Sequence, residues 1–141
     1  MKDTDRRRVL QKLEEMENYV HEIKELLPSR EVYSSDLKSK RACEKTIELA
    51  IESLIDVASM LISYERLGTP EDEDSIFEIL DKKKVITKNL KKRLTTMKGF
   101  RNIIVHRYGE IDDDLVYDFL ENELKDFEDF VSQITKFIRD K

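Results

Sequence analysis

Turn-forming residues are scarce in this chain: its 141 residues include three glycines and two prolines, and there is no tryptophan. A many-stranded sheet protein needs Gly, Asn or Pro at most of its corners, so that class is excluded. The single cysteine, Cys43, cannot form an internal disulfide. Nothing around it has the spacing of metal ligands or of a nucleophile with its base, so it is expected as a plain helix residue in a core or an interface. Long apolar runs are missing too. No segment approaches the roughly 20 apolar residues of a membrane span, and the opening Met1–Asp5 is charged, unlike a signal peptide. The expectation is one cytoplasmic domain covering 1–141, with no membrane association.

What fills the chain is charge and helix-forming apolar residues: 40% Asp, Glu, Lys and Arg, and 39% apolar. Val9, Leu13, Met16, Val20, Ile23 and Leu27 recur at steps of four and three, which predicts a helix over residues 5 to 27, closed by Pro28-Ser29. A second helix is expected from Ser34-Ser35-Asp36, whose short oxygens can cap it, to a stop at Gly68. Residues 70 to 75 form an acidic connector, 76 to 80 a short helix, and Thr87 caps the next long helix. That helix contains Gly99, which costs up to about 1 kcal/mol relative to alanine; a close helix crossing or a partner contact would justify it. After Gly109, Asp112-Asp113-Asp114 should start one long final helix carrying Leu115, Phe119, Leu124, Phe127, Val131, Ile134 and Ile138. The predicted fold is all-α, an antiparallel four-helix bundle with an additional short helix. Ile103, Ile104 and Val105 span too wide an arc to face one way, so their helix is either central or pairs with a second copy, and a homodimer is expected.

The formal net charge of −5 argues against a nucleic-acid partner, but the charge is segregated. Residues 82 to 107 hold ten Lys and Arg and no Asp or Glu, giving +10 against −15 for the remainder. Such a stripe attracts RNA or DNA phosphates. It can equally solvate a helix face or pair with the protein's own acids. Lys91, Lys92, Lys98 and Arg107 are the candidate RNA contacts.

The stripe ends in Gly99-Phe100-Arg101-Asn102-Ile103-Ile104-Val105-His106-Arg107-Tyr108-Gly109. Asn102 and His106 share a helix face, whereas Arg101 and His106 lie about 140° apart. Two copies facing across a twofold axis would bring both pairs to one groove. The chemistry suits RNA cleavage: His106 as acid or base toward the 2′-hydroxyl and the 5′-oxygen, Arg101 on the phosphoryl charge, Asn102 in support. This route needs no metal-bound water, and no metal site is expected. A helix-end histidine capping carbonyls, with an arginine meeting an acid of the last helix, is the plainer alternative. His21 is expected on a helix surface. Tyr33, Tyr64 and Glu44 are further candidates for the groove's border.

The spacing Arg101, four residues, His106, one residue, Tyr108 resembles the signature of the HepT-like proteins of the HEPN superfamily. The similarity continues through the run Arg41–Ala58, Gly68-Thr69-Pro70, Leu80, Val85-Ile86 and Met97–Asn102, and covers residues 4 to 137. The resemblance implies a HEPN-like helical homodimer acting as a metal-independent endoribonuclease toxin, with Arg101 and His106 catalytic and no cofactor. It also implies an MntA-like nucleotidyltransferase antitoxin that uses ATP to place AMP on Tyr108. Arg107 departs from the family pattern; its charge, between His106 and Tyr108 in the sequence, would suit contact with RNA, the partner's acidic site or the added AMP. Both tRNA and mRNA are open as substrates. The alternative is a non-catalytic module that binds nucleotide or docks the nucleotidyltransferase as its substrate subunit. A purely structural dimer is a third possibility.

Overall fold

The computed structural model describes residues 1 to 106 and 111 to 141; Arg107, Tyr108 and Gly109 lie outside the described residues, as does Glu110. Among the described residues the chain forms seven helices and no strand: α1 Asp3–Leu26, α2 Arg30–Ser35, α3 Leu37–Tyr64, α4 Glu73–Lys82, α5 Lys88–His106, α6 Asp113–Asn122 and α7 Lys125–Arg139. The long helices α1, α3, α5 and α7 close a ring in which each packs on the next. Met1 N lies 3.1 Å from Glu65 at the end of α3, and Thr87 N lies 2.8 Å from Gln133 of α7. Neighbours in the ring are therefore antiparallel, which is the expected bundle with three shorter helices added. One end of the bundle gathers the start of α5 with the end of α7. The other gathers the end of α5 with α2 and α6.

Three helix starts were legible because a short polar side chain caps them. Asp36 accepts from Lys38 N at the head of α3, and Thr87 Oγ1 accepts from Leu90 N at 3.1 Å. Asp112 accepts from Asp114 N at 3.0 Å in α6. Asp72 and Ser75 form a reciprocal capping box, which starts the fourth helix at Glu73 rather than at residue 76.

Three expectations are corrected. Ser34-Ser35 closes the short helix α2, capped by Ser29, instead of opening α3. The α3 helix stops at Tyr64, four residues before Gly68. Leu67 N reaches back to Ile62 O, with Arg66 in the left-handed conformation at φ 52°, so a non-glycine residue supplies the reversal. Lys84, at φ 60°, ends α4 in the same way. The final helix is two, broken at Glu123-Leu124. Val116, Tyr117 and Leu120 face the core in α6, and Phe127, Phe130, Ile134 and Ile138 do so in α7. The break lets each helix turn its own apolar face inward, and it leaves Leu115 46% exposed.

Candidate active site

The core face of α5 is Leu90, Leu94, Met97, Phe100 and Ile104. Ile103 and Val105 are only half-buried, so α5 is not central, and the wide apolar arc has a surface component. That surface opens a groove of about 600 Å³ between α5 and α6, bordered by Thr96, Gly99, Ile103, Leu115 and Phe119. A Cβ added to Gly99 would meet nothing within 4 Å. Among the described residues no helix crosses closely there, which removes one of the two reasons for retaining the glycine.

Arg101 and His106 stand on different sides of α5. His106 is exposed at the helix end, with Asn102 half-buried one turn before it. Arg101 turns into the seam between α3, α4 and α5, where its side chain is 12% exposed. It donates to Glu73 of α4, and its Nη1 lies 3.9 Å from Glu52 of α3. Its Nε–H is buried without a partner among the described residues. The acid that meets Arg101 thus comes from α4 and α3, not from the last helix. It is Arg93 that pairs with the last helix, at 2.6 Å from both Asp126 and Asp129.

Sequence reasoning missed Glu73 and Glu52 as partners of Arg101. They lie 28 and 49 positions away, and no local spacing links them. The only available signal was the acidic stretch of residues 70 to 75, which reads as a connector. It also supplies Asp74, 2.7 Å from Lys98. Lys98 is therefore committed within the chain, while Lys92 is exposed and Lys91 half-buried. Burial, followed by the neighbouring negative charge of Glu48, pushes the Glu52 carboxyl up, and Arg101 partly opposes the shift.

The remaining candidates separate clearly. Tyr33 is buried against Tyr117, with ring centroids 5.4 Å apart, and Tyr64 ends α3 at the opposite end of the bundle from His106; neither borders the site. Glu44 is buried and held by Arg41 at 2.6 Å. His21 is on the surface, 3.1 Å from Glu25, and Cys43 is in the core. Arg107 and Tyr108 fall outside the described residues.

This geometry can be set beside known proteins. The chain is 26% identical over 126 residues to the mRNA nuclease HepT of Shewanella oneidensis, covering 89% of this chain and 95% of that one. It is 26% identical over 106 residues to the tRNA nuclease HepT of Aphanizomenon flos-aquae, covering 75% and 72%. A solved structure of the tri-AMPylated HEPN toxin of Shewanella oneidensis in complex with MNT antitoxin superposes with a TM-score of 0.86 at 26% identity, covering 96% of this chain and 99% of that one. The family model described as ribonuclease HepT-like matches residues 16–134, and the chain belongs to that family.

Proposed function

We propose that this protein is a ribonuclease toxin acting as a homodimer, restrained by an MntA-like nucleotidyltransferase antitoxin. The observation that carries this reading is the placement of His106: exposed on the outer face of α5, beside Asn102, with Arg101 held behind it by Glu73. Arg101 and His106 of one copy do not face each other. A second copy docked on the open Gly99 groove would let the two α5 ends share one cleft.

In this cleft, neutral His106 takes the proton of an RNA 2′-hydroxyl. The oxygen attacks the adjacent phosphorus, the bond from phosphorus to the 5′-oxygen breaks, and a proton from a histidine passes to the leaving oxygen. The products are a cyclic phosphate and a 5′-hydroxyl. Arg101 stabilises the charge that builds on the phosphoryl oxygens. All of these groups belong to the protein or the RNA, so the reaction proceeds without a metal. Control follows from Tyr108, two residues beyond His106: AMP attached there adds negative charge and bulk where the RNA phosphate must enter. The antitoxin consumes ATP to attach it.

The test is incubation of tRNA and mRNA with the unmodified protein in EDTA. Cleavage should leave cyclic-phosphate and 5′-hydroxyl ends and fall at least about 100-fold in His106→Ala and in Arg101→Ala. Cleavage by both variants at the rate of the unsubstituted protein, or none by protein whose intact mass shows no AMP, overturns the assignment. With an active nucleotidyltransferase and ATP, the mass should rise by AMP, and Tyr108→Phe should abolish the gain at that position.

A further inference from the structure

Eight of the ten cations of residues 82 to 107 fall into two classes once the chain is folded; Lys91 is half-buried, and Arg107 lies outside the described residues. Arg93, Lys98 and Arg101 are ion-paired to acids of neighbouring helices. Lys82, Lys83, Lys84, Lys88 and Lys92 are exposed, and none of them has an ion-pair partner among the described residues. These unpaired lysines cluster at the start of α5, the far end from His106.

Three of them border a groove of about 690 Å³ between the α4–α5 turn and the end of α7. Lys82, Lys84 and Lys88 line one side, with Lys136 and Lys141 on the other. Lys141 is compensated by Glu65 at 3.8 Å, and Asp81 and Asp140 also line the groove, so four lysines face two acids. The turn that carries the lysines is rigidly seated. Val85 and Ile86 are buried, and Thr87 and Gln133 clamp the turn to α7 through Thr87 N–H to Oε1 and Nε2–H to Oγ1. Lys84 takes the left-handed conformation that reverses the chain. A well-anchored turn that gathers uncompensated positive charge suits a polyanion better than a purely structural role.

The groove is also in line with the proposed active site. Lys88, Lys92, Thr95, Gly99, Asn102 and His106 follow steps of four and three, so they share one stripe about 80° wide on α5. Lys88 and His106 are about 27 Å apart along the axis at 1.5 Å per residue. That is about eight nucleotide steps at the 3.4 Å rise of a stacked strand.

We propose that this lysine groove is a second RNA-binding site, which grips the phosphate backbone several nucleotides from the bond cut at His106. The proposal rests on RNA being the substrate. It predicts that short RNAs are poor substrates because they cannot reach both sites.

The experiment measures binding separately from cleavage. His106→Ala protein, which leaves RNA intact, is titrated with labelled single-stranded RNAs of roughly 12 and roughly 4 nucleotides. The same titrations are made with Lys82, Lys84, Lys88 and Lys136 all changed to Gln, and all changed to Arg. The Gln variant should bind the longer RNA at least about tenfold more weakly, and its log–log salt slope should be shallower by about 3, near 0.7 per lost phosphate contact. The Arg variant should retain binding, and the tetramer should be insensitive to both changes. With His106 restored, the Gln variant should lose kcat/KM on the longer RNA and keep it on the tetramer.

An unchanged affinity and salt slope in the Gln variant overturns the groove, as does equal weakening for both RNA lengths. Binding of poly-glutamate in preference to RNA would also overturn it, pointing to an acidic protein partner. Loss of the predicted binding terms in a protein that cuts no RNA would instead uphold the groove and refute the catalytic reading.

Discussion

Two faces of α5 hold their positive charge in opposite ways. On the inward side, Arg93, Lys98 and Arg101 each meet a carboxylate of another helix. On the outward side, Lys88 and Lys92 meet none among the described residues, and Gly99 and His106 open onto solvent. Arg93 and Lys98 thus serve architecture, Arg101 is held in place by its acid, and the outward lysines remain available to a polyanion. Charge counting along the sequence cannot separate these uses, because they differ only in the helix that packs alongside.

The comparison is tested most severely at Arg93. Asp126 is 3% exposed, and Arg93 is the cation that pairs with it. Arg93→Ala should cost about 3 kcal/mol by leaving that carboxylate buried and uncompensated, read as a lowered midpoint in urea unfolding. Adding Asp126→Asn should return part of the loss. Lys88→Ala or Lys92→Ala should change stability by less than about 0.5 kcal/mol. A comparable loss from Lys88 or Lys92 would erase the distinction between the two faces.

Glu73 gives a smaller effect, seen in activity rather than stability. It sits at the first position of α4, and its side chain is 42% exposed, so Glu73→Gln should destabilise by less than about 1 kcal/mol. It should nevertheless lower kcat about tenfold, equivalent to about 1.4 kcal/mol, because the Arg101 guanidinium loses the contact that orients it. KM for RNA should stay constant, and Glu73→Asp should recover part of the rate. A rise in kcat would show that Glu73 restrains Arg101 instead of aligning it.

The sequence was a good guide wherever the signal was local. Apolar spacing located α1, α3 and α5, and single side chains such as Asp36, Thr87 and Asp112 marked where helices begin. It was a poor guide to helix ends, since Arg66 and Lys84 take left-handed positions that point to glycine. It also failed at the break after Asn122, because the periodicity of α6 nearly continues that of α7. At the candidate site, Arg101 and His106 were singled out by type and family resemblance. Their division between two sides of α5 follows from helix geometry. The acids that hold Arg101 were not visible, because only the tertiary path of α4 brings Glu73 back to it.

Gly99 supplies the finest test, since the two faces predict opposite signs for one substitution. Within a single chain, a Cβ at this position meets nothing within 4 Å, and alanine restricts the unfolded chain more than glycine does. Gly99→Ala should therefore stabilise the dilute monomer by up to about 1 kcal/mol. If a second copy packs on the groove, the added methyl group enters the contact and weakens association, and Gly99→Leu weakens it further. Sedimentation across a concentration series would show dissociation rising from Gly to Ala to Leu while thermal stability at low concentration does not fall. A dimer indifferent to leucine at 99 would place the twofold contact elsewhere, and the outward face of α5 would then serve RNA alone.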